Sequence, residues 1–267
     1  MRSALTFIIP VAHPVNVADW SLRMRYLSQT VASVAAQRSD AWNAVVVSNH
    51  GVVLPSLPSK FSVKWVDFPP NPLYEQGSAD EEVFRDAVRI DKGRRILAGL
   101  LSVEATGHIM LVDDDDFVHR DLTPFVEQNP GKNGWYFSNG YFWESGGWFL
   151  YLCSGFSRIC GTSHIVRSDL YRIPSTMEAA SDNYVRQMFG SHIMIEGILE
   201  GNGTALEPLP FPGAIYRVGH TGSHSRSQGL FRQLLRLRDP FQVLRWIARV
   251  RLKTASLDRD FFGASVA

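Results

Sequence analysis

Short apolar segments that alternate with longer amphipathic ones constrain this chain most. In chain order they are LTFIIPV at 5–11, WNAVVVSN at 42–49, the alternating FSVKWVDF at 61–68, and HIMLV at 108–112. Residues 17–37 and 84–106 separate them, with apolar side chains at the spacing of a helix. Strands that are apolar on both faces belong inside parallel sheets covered by helices. The pattern therefore predicts an α/β domain with a mostly parallel sheet and helices on both faces.

The second half of the chain has a different pattern of apolar, aromatic and turn residues. GWYFSNGYFWESGGWFLYLC at 134–153 contains two turn signals between aromatic runs, which predicts a small antiparallel, aromatic-rich meander. A helix is predicted over 181–199 and an extended segment over 205–218. Residues 226–253 carry eight basic residues against the single acid Asp239, so we predict a basic, helical C-terminal tail.

Composition and hydropathy exclude several classes of protein. The chain has 267 residues, of which 45% are hydrophobic and 20% charged, as in ordinary globular proteins. No apolar stretch approaches the roughly 18 residues that a membrane-spanning helix needs. The N-terminal ALTFIIPVA is too short for the apolar region of a signal peptide, so a cytoplasmic location is expected. Cys153 and Cys160 are too few for a disulfide framework.

Four consecutive aspartates, Asp113 to Asp116, follow the HIMLV strand directly. Parallel sheets bind ligands beyond the carboxyl ends of their strands, which is where this run lies. Asp113 and Asp115 alternate and can face such a crevice together, where their oxygens suit Mg²⁺ or Mn²⁺. Asp116 is expected to orient them or to reach a sugar hydroxyl, and Asp114 is expected to be expendable. A solvated acidic turn is the alternative.

The stretch DKGRRILAGLLSVEATGHIMLVDDDDFVHRDL at 91–122 resembles the nucleotide-sugar-binding half of GT-A glycosyltransferases of the family-2-like group. Its matching residues are Lys92, Arg94, Ala105, Gly107, Asp113, Asp115, Asp116, Asp121 and Leu122. FIIPVAHP and AVVVSNHG look like the first two strands of that family, and the resemblance covers roughly residues 4–225. It implies a GT-A-like, Rossmann-like fold.

The resemblance also implies ligands. The donor would be a UDP- or GDP-linked sugar, bound by residues of the matching segments: Pro10, Ala12, His13, Asn49, Lys92, Arg94, Asp113, Asp114 and Asp116. A metal ion, Mn²⁺ or Mg²⁺, would be held by Asp113 and Asp115. AIYRVGHTGSHS resembles the closing segment of the family, whose histidine completes the metal site. His220 fits best there, and His224 is the alternate.

An inverting sugar transfer needs a general base to deprotonate the acceptor hydroxyl. The matching stretch is MEAASDNYVRQMFG, and Asp182 is the residue that the resemblance implies, with Ser181 in place of the usual Glu. Asp182 could instead cap a helix, a common role for aspartate. Glu178 and Glu144 are the alternates.

The acceptor and the tail are less defined. Trp143 and Trp148 are candidates for a saccharide platform, or they pack within the meander. The acceptor would be a saccharide or lipid-linked hydroxyl. The basic tail would contact a membrane surface peripherally at its inner face, form a dimer interface, or pack against the domain. No motif supports binding to nucleic acid.

Two regions follow from these patterns: a catalytic domain over 1–225, with a nucleotide-sugar half at 1–122 and an acceptor half at 123–225, and a basic extension over 226–267. The predicted function is a metal-dependent, inverting glycosyltransferase (hexosyltransferase-like) of cell-surface polysaccharide synthesis. One alternative is a metal-dependent phosphohydrolase, although common aspartate-based phosphatases carry Asp-x-Asp after their first strand. The other is an inactive, carbohydrate-binding GT-A-like protein.

Overall fold

The computed structural model describes residues 3–74, 80–104, 106–219, 244 and 246–263. Its strands are β1 (Leu5–Pro10), β2 (Trp42–Asn49), β3 (Phe61–Val66), β4 (His108–Leu111), β5 (Phe117–Val118), β6 (Gly134–Tyr136), β7 (Asn139–Glu144), β8 (Phe149–Ser154), β9 (His164–Arg167), β10 (Glu207–Pro208), β11 (Ala214–Val218) and β12 (Val250–Leu252). Its α-helices are α1 (Trp20–Ala35), α2 (Glu81–Leu101), α3 (Leu122–Glu127), α4 (Asp182–Val185), α5 (His192–Gly201) and α6 (Ala255–Leu257). Tighter helical turns span Pro14–Asn16, Pro72–Tyr74, Phe156–Arg158 and Ser168–Tyr171, and wider ones Arg186–Gly190 and Asp258–Phe262.

The larger sheet has seven strands in the order β10-β6-β9-β4-β1-β2-β3. The four strands from β4 to β3 run parallel, and β9 runs antiparallel to both of its neighbours, β4 and β6. All six residues of β1 are buried, as its apolar sequence predicts. The chain therefore has the predicted α/β fold with a mostly parallel sheet.

The two long helices cover opposite faces of this sheet. Leu27 of α1 packs in the same apolar cluster as Phe7 and Ile9, whereas Leu97 of α2 packs in a second cluster with Ile8. Successive residues of a strand point to opposite faces, so these clusters lie on the two sides of β1. Helices on both faces were predicted, and they are observed.

A smaller sheet of five strands follows the order β12-β8-β7-β11-β5. It contains the predicted aromatic hairpin, since β7 and β8 pair antiparallel, with Asn139 opposite Ser154 and Trp143 opposite Leu150. The predicted meander is only partly correct, because β6 joins the larger sheet instead. The helix predicted over 181–199 is interrupted at Ser191, whose backbone is extended. Close approach of α2 accompanies the break, since a β-carbon on Gly190 would lie 2.7 Å from the carbonyl oxygen of Arg89.

The described end of the chain packs against the smaller sheet. β12 pairs antiparallel with β8, and Phe261 and Phe262 are buried beside Phe117. The segment 250–263 of the predicted extension thus packs against the smaller sheet, with Phe261 and Phe262 in the apolar cluster of that sheet. Residues 220–243 lie outside the described residues. No described helix has the length and apolar character of a membrane span.

Candidate functional site

A cleft of about 650 Å³ opens where β1 and β4 end. Its walls come from the end of β1, the first half of α2, the aspartate loop, the segment 158–161 and the start of α5. Pro10, Ala12 and Lys92 line it, as do Asp113, Asp114 and Asp115. The parallel sheet therefore brings together six residues that the sequence assigned to the donor and metal site.

Asp114 is buried and paired with Arg23 of α1. The Nε atom of Arg23 donates to the Asp114 carboxylate at 2.6 Å, and a second guanidinium nitrogen also contacts this carboxylate. Burial raises the pKa of Asp114 to about 6 against the opposing effect of Arg23. The same guanidinium lies 3.6 Å from an Asp115 oxygen. Arg23 therefore supplies the positive charge that offsets the repulsion between these two carboxylates.

Asp113 forms an ion pair with Lys92 of α2. Burial disfavours the charged form of Lys92, but the neighbouring Asp113 outweighs it and the pKa of Lys92 is raised. Gly161 leaves the room for this pair: a β-carbon there would lie 2.7 Å from an Asp113 oxygen and 2.9 Å from Lys92 Nζ. The backbone N–H of Asp113 also donates to Thr162 Oγ1 at 2.9 Å.

Asp116 points into the protein and not into the cleft. Its carboxylate accepts hydrogen bonds from Thr162 Oγ1 at 2.6 Å, from the Arg217 backbone N–H at 3.2 Å and from Cys160 Sγ at 3.3 Å. Burial, together with the charges of Asp115 and Asp113, raises its pKa well above the usual carboxyl range. Asp116 is thus placed to hold the loop rather than to touch a sugar.

Arg217 of β11 is a residue of the site that the sequence reasoning did not assign. Its guanidinium is buried and donates to the carbonyl oxygen of Asp115 at 2.8 Å, to Ser145 Oγ at 2.8 Å and to Gln29 Oε1 at 2.6 Å. Its carbon lies 4.0 Å from the ring centroid of Tyr26. The sequence did contain a signal for this residue, namely an arginine within the apolar strand AIYRV. A buried arginine needs several hydrogen-bond acceptors, so it indicates a polar site nearby.

The other donor residues named from the sequence occupy different positions. Asn49 is buried, where it accepts from Arg95 at 2.8 Å and donates to the carbonyl oxygen of Phe68 at 2.7 Å. His13 accepts from the backbone N–H of Val15 at 3.1 Å and caps a helical turn. Neither lies among the described residues that line the cleft.

Asp182 begins α4 and is exposed. Ser181, not Asp182, caps that helix by accepting from the Tyr184 backbone N–H. A guanidinium nitrogen of Arg94 lies 2.9 Å from an Asp182 oxygen, so these two predicted residues contact each other outside the lining of the cleft. The alternate Glu178 is also exposed.

The two tryptophans predicted to contact acceptor have different environments. Trp143 is buried, and its indole N–H donates to the carbonyl oxygen of Gly147 at 2.8 Å. Trp148 is 74% exposed and lines a second groove together with the alternate base Glu144. Trp143 is therefore a packing residue of the hairpin, which is the second of the two roles considered for it.

His192, at the start of α5, was also missed. It lines the cleft, and burial together with the charge of Lys92 lowers its pKa to about 4, which leaves the imidazole neutral at physiological pH. Arg89 and Arg158 line the same cleft, and neither guanidinium forms an ion pair with a described residue. The cleft therefore combines acidic, basic and neutral hydrogen-bonding groups.

The described residues contain no group of three or more His, Cys, Asp or Glu side chains that could hold a metal ion. The predicted ligands His220 and His224 lie outside the described residues. Asp113 and Asp115 nevertheless reach the cleft with hard carboxylate oxygens. This donor set fits a cation that takes one or two carboxylates and completes its shell with phosphate oxygens and water. It does not form a closed metal cage.

No family model matches the chain, and no curated protein matches it. Similar solved structures include S. aureus TarS 1–349 (13% identity, TM-score 0.41, covering 81% of this chain and 60% of that one). The same TarS segment in complex with UDP-GlcNAc gives 12% identity, TM-score 0.41, and coverage of 85% and 62%. Rv0371C from Mycobacterium tuberculosis in complex with manganese gives 10% identity, TM-score 0.37, and coverage of 85% and 97%. The chain spans about three fifths of the two TarS structures.

Proposed function

We propose that this chain is a glycosyltransferase that takes a sugar from a UDP- or GDP-linked donor. One observation carries the proposal: the four-aspartate loop follows a buried parallel strand and opens on a cleft of about 650 Å³. Open α/β sheets bind ligands at this edge, and the volume lies within the range of small-molecule sites. The acceptor would be a hydroxyl of a saccharide or of a lipid-linked sugar.

The donor diphosphate would lie between the aspartates and the basic side of the cleft. Lys92, Arg89 and Arg158 line that side and offer charge-assisted hydrogen bonds to phosphate oxygens. Arg94, predicted for the same role, contacts Asp182 and would reach the donor only if that pair opened.

Asp113 and Asp115 would hold a Mn²⁺ or Mg²⁺ ion, with His220 or His224 as the proposed third ligand. When bound, the ion would act as a Lewis acid and stabilise negative charge on the leaving diphosphate. Lys92 contacts Asp113, and Arg23 contacts Asp115. These two cations would balance the negative charge of the site when no metal is bound, and they would compete with a metal ion for the carboxylates. We therefore expect a modest affinity for metal alone and a higher one with nucleotide.

Asp182 is the proposed general base of an inverting reaction. Because it lies outside the lining of the cleft, His192 is the second candidate. Its imidazole lines the cleft and is neutral at pH 7, so it can accept a proton, but a pKa of about 4 makes it a weaker base than an ordinary histidine. Asp182→Asn and His192→Gln separate the two candidates. The variant that loses sugar transfer but still binds donor identifies the general base. A variant that turns over at the wild-type rate shows that the substituted residue is not the base.

Thermal stabilisation by nucleotides tests the donor site. UDP, GDP and their sugar conjugates, each with and without Mn²⁺, should raise the melting temperature of the wild-type chain. Asp115→Ala should remove the Mn²⁺-dependent part, while Asp67→Ala, at an exposed carboxylate, should leave it unchanged. A chain that responds to none of these nucleotides is not a nucleotide-sugar transferase. Binding without transfer to any acceptor would instead indicate the inactive carbohydrate-binding protein.

A further inference from the structure

A second groove, of about 710 Å³, runs along β8 and β12. Exposed large apolar side chains line it or lie beside it, and we call them the apolar face: Trp148, Phe149 and Ile247 line the groove, and Leu252 is paired with Phe149. Trp148 is 74% exposed, Leu252 61% and Ile247 55%. Glu144 is the charged residue among the described residues that line the groove. Apolar exposure on this scale marks an interaction site on a soluble domain.

Local pairing makes these side chains one surface. In the β8–β12 ladder Phe149 lies directly opposite Leu252, so their side chains point to the same face of the sheet. Trp246 stacks on Tyr151 of β8 with ring centroids 5.4 Å apart, which holds the helical turn of Ile247 against the strand. The apolar face is therefore contiguous and built on regular structure.

Positive charge borders the apolar face. Arg249 and Arg251 are exposed, and neither forms an ion pair with a described residue. Arg251 pairs with Leu150, so it leaves β12 on the opposite face of the sheet, where its guanidinium donates to the carbonyl oxygens of Ala248 and Val250, and Arg249 is the residue at the border of the apolar face. The surrounding sequence, 226–253, carries eight basic residues and one acid. An apolar surface with a basic rim is complementary to a membrane whose lipids are anionic.

We propose that the apolar face docks on an anionic lipid bilayer. Trp148 and Ile247 enter the interface between headgroups and acyl chains, and Arg249 contacts lipid phosphates. Tryptophan and arginine both favour this interface, because each combines an apolar body with a polar end. A symmetric contact between two copies of the chain is less favourable, since it would bring each basic rim against its own copy.

Hydrogen bonds connect the proposed docking surface to the aspartate loop of the cleft. Ser145, in the turn that leads to Trp148, accepts from Arg217, and Arg217 also holds the carbonyl oxygen of Asp115. The docked surface and the aspartate loop are thus joined through one side chain. If the proposed function holds, docking brings the enzyme to the membrane that carries a lipid-linked acceptor. The docking itself does not depend on that function.

Sedimentation of the full chain with vesicles tests the apolar contribution. Vesicles of phosphatidylcholine mixed with phosphatidylglycerol should bind the wild-type chain. Trp148→Ser combined with Ile247→Ser should weaken binding about tenfold or more, since each substitution removes a large apolar side chain from the interface. Val53→Ser, at a still more exposed apolar residue outside the apolar face, should bind as wild type. Melting curves of all variants establish that they fold, and quenching of tryptophan fluorescence by brominated lipid that is lost in Trp148→Ser reports insertion of Trp148.

Charge reversal tests the basic rim. Arg249→Glu should weaken binding to the mixed vesicles, and added salt should weaken wild-type binding, whereas Arg25→Glu should have no effect. Absence of wild-type binding, or equal binding to vesicles of phosphatidylcholine alone, overturns the proposal. So does a dimer that the apolar variants dissociate, which would assign the face to a second copy. Asp115→Ala should lose nucleotide binding but keep vesicle binding, so failure of the proposed function is recognised separately.

Discussion

Arg23 should stabilise the protein by an amount that depends on pH, and the amount follows from Asp114. With the guanidinium present, the pKa of this buried carboxyl is about 6. At pH 7.5 the ionised form is thus favoured over the protonated form by about 2 kcal/mol, at about 1.4 kcal/mol for each pH unit. Arg23→Met cannot lose more than this through charge, because Asp114 then takes up a proton. Lost hydrogen bonds add about 1 kcal/mol.

The expected loss in the free energy of unfolding is therefore about 2–3 kcal/mol at pH 7.5 and about 1 kcal/mol at pH 6. The direction of this pH dependence follows from the linkage between proton binding and folding. A carboxyl whose folded pKa is raised stabilises the fold most at low pH and loses that contribution as the pH rises through the folded pKa. In Arg23→Met the pKa of Asp114 is higher still, so the loss extends to higher pH.

Urea unfolding followed by circular dichroism at the two pH values measures both numbers. Arg25→Met is the matched control, since Arg25 is an exposed arginine on the same helix. We expect it to change stability by less than about 0.5 kcal/mol at either pH. A loss in Arg23→Met that is equal at pH 6 and pH 7.5, or no larger than that of Arg25→Met, would refute the assignment of Arg23 as the counter-charge of Asp114.

Three further predictions concern single residues. His192→Phe should flatten the fall in stability between pH 6.5 and 4, because the folded chain keeps His192 neutral to about pH 4 while the unfolded chain binds a proton near pH 6.5. Urea titrations across that range measure a slope of up to about 1.4 kcal/mol per pH unit, and an unchanged slope would contradict the pKa shift. Gly161→Ala should weaken nucleotide binding about tenfold in calorimetry, since the new methyl group crowds Asp113, whereas Gly131→Ala, with open space around it, should not. Phe262→Ala should cost about 3–5 kcal/mol in chemical denaturation, and a loss below 1 kcal/mol would show that the C-terminal segment is not part of the core.

The strands and the position of the aspartate loop could be predicted because they follow from local patterns. A buried parallel strand is a continuous apolar run, as in β1, and the loop after β4 must lie at the carboxyl edge of the sheet. Pro10 and Ala12 come to the same edge for the same reason. Topology thus determined which segments meet, once the strands were identified.

The charge partners within the site could not be predicted, because they depend on side-chain contacts between distant segments. Arg23 contacts Asp114, which lies 91 residues later in the chain, and no local pattern distinguishes it from Arg25, the other arginine of α1. Asp182 was predicted as the base from its position in the motif. Motif spacing does not predict the helix break at Ser191 or the direction that the chain takes after it. That break brings His192 to the cleft and leaves Asp182 on the surface.

The hydrogen bonds of Arg217 have a consequence for the order in which the protein forms during synthesis. This side chain joins residues 188 positions earlier, at Gln29, and 102 positions earlier, at Asp115. Contacts of such sequence separation form late, since the intervening chain must first be ordered. A growing chain that has not yet released β11 from the ribosome has all four aspartates but lacks the residue that fixes their loop. Binding competence should therefore arise abruptly once β11 has left the ribosome, and nascent chains stalled before and after β11 should differ sharply in nucleotide capture.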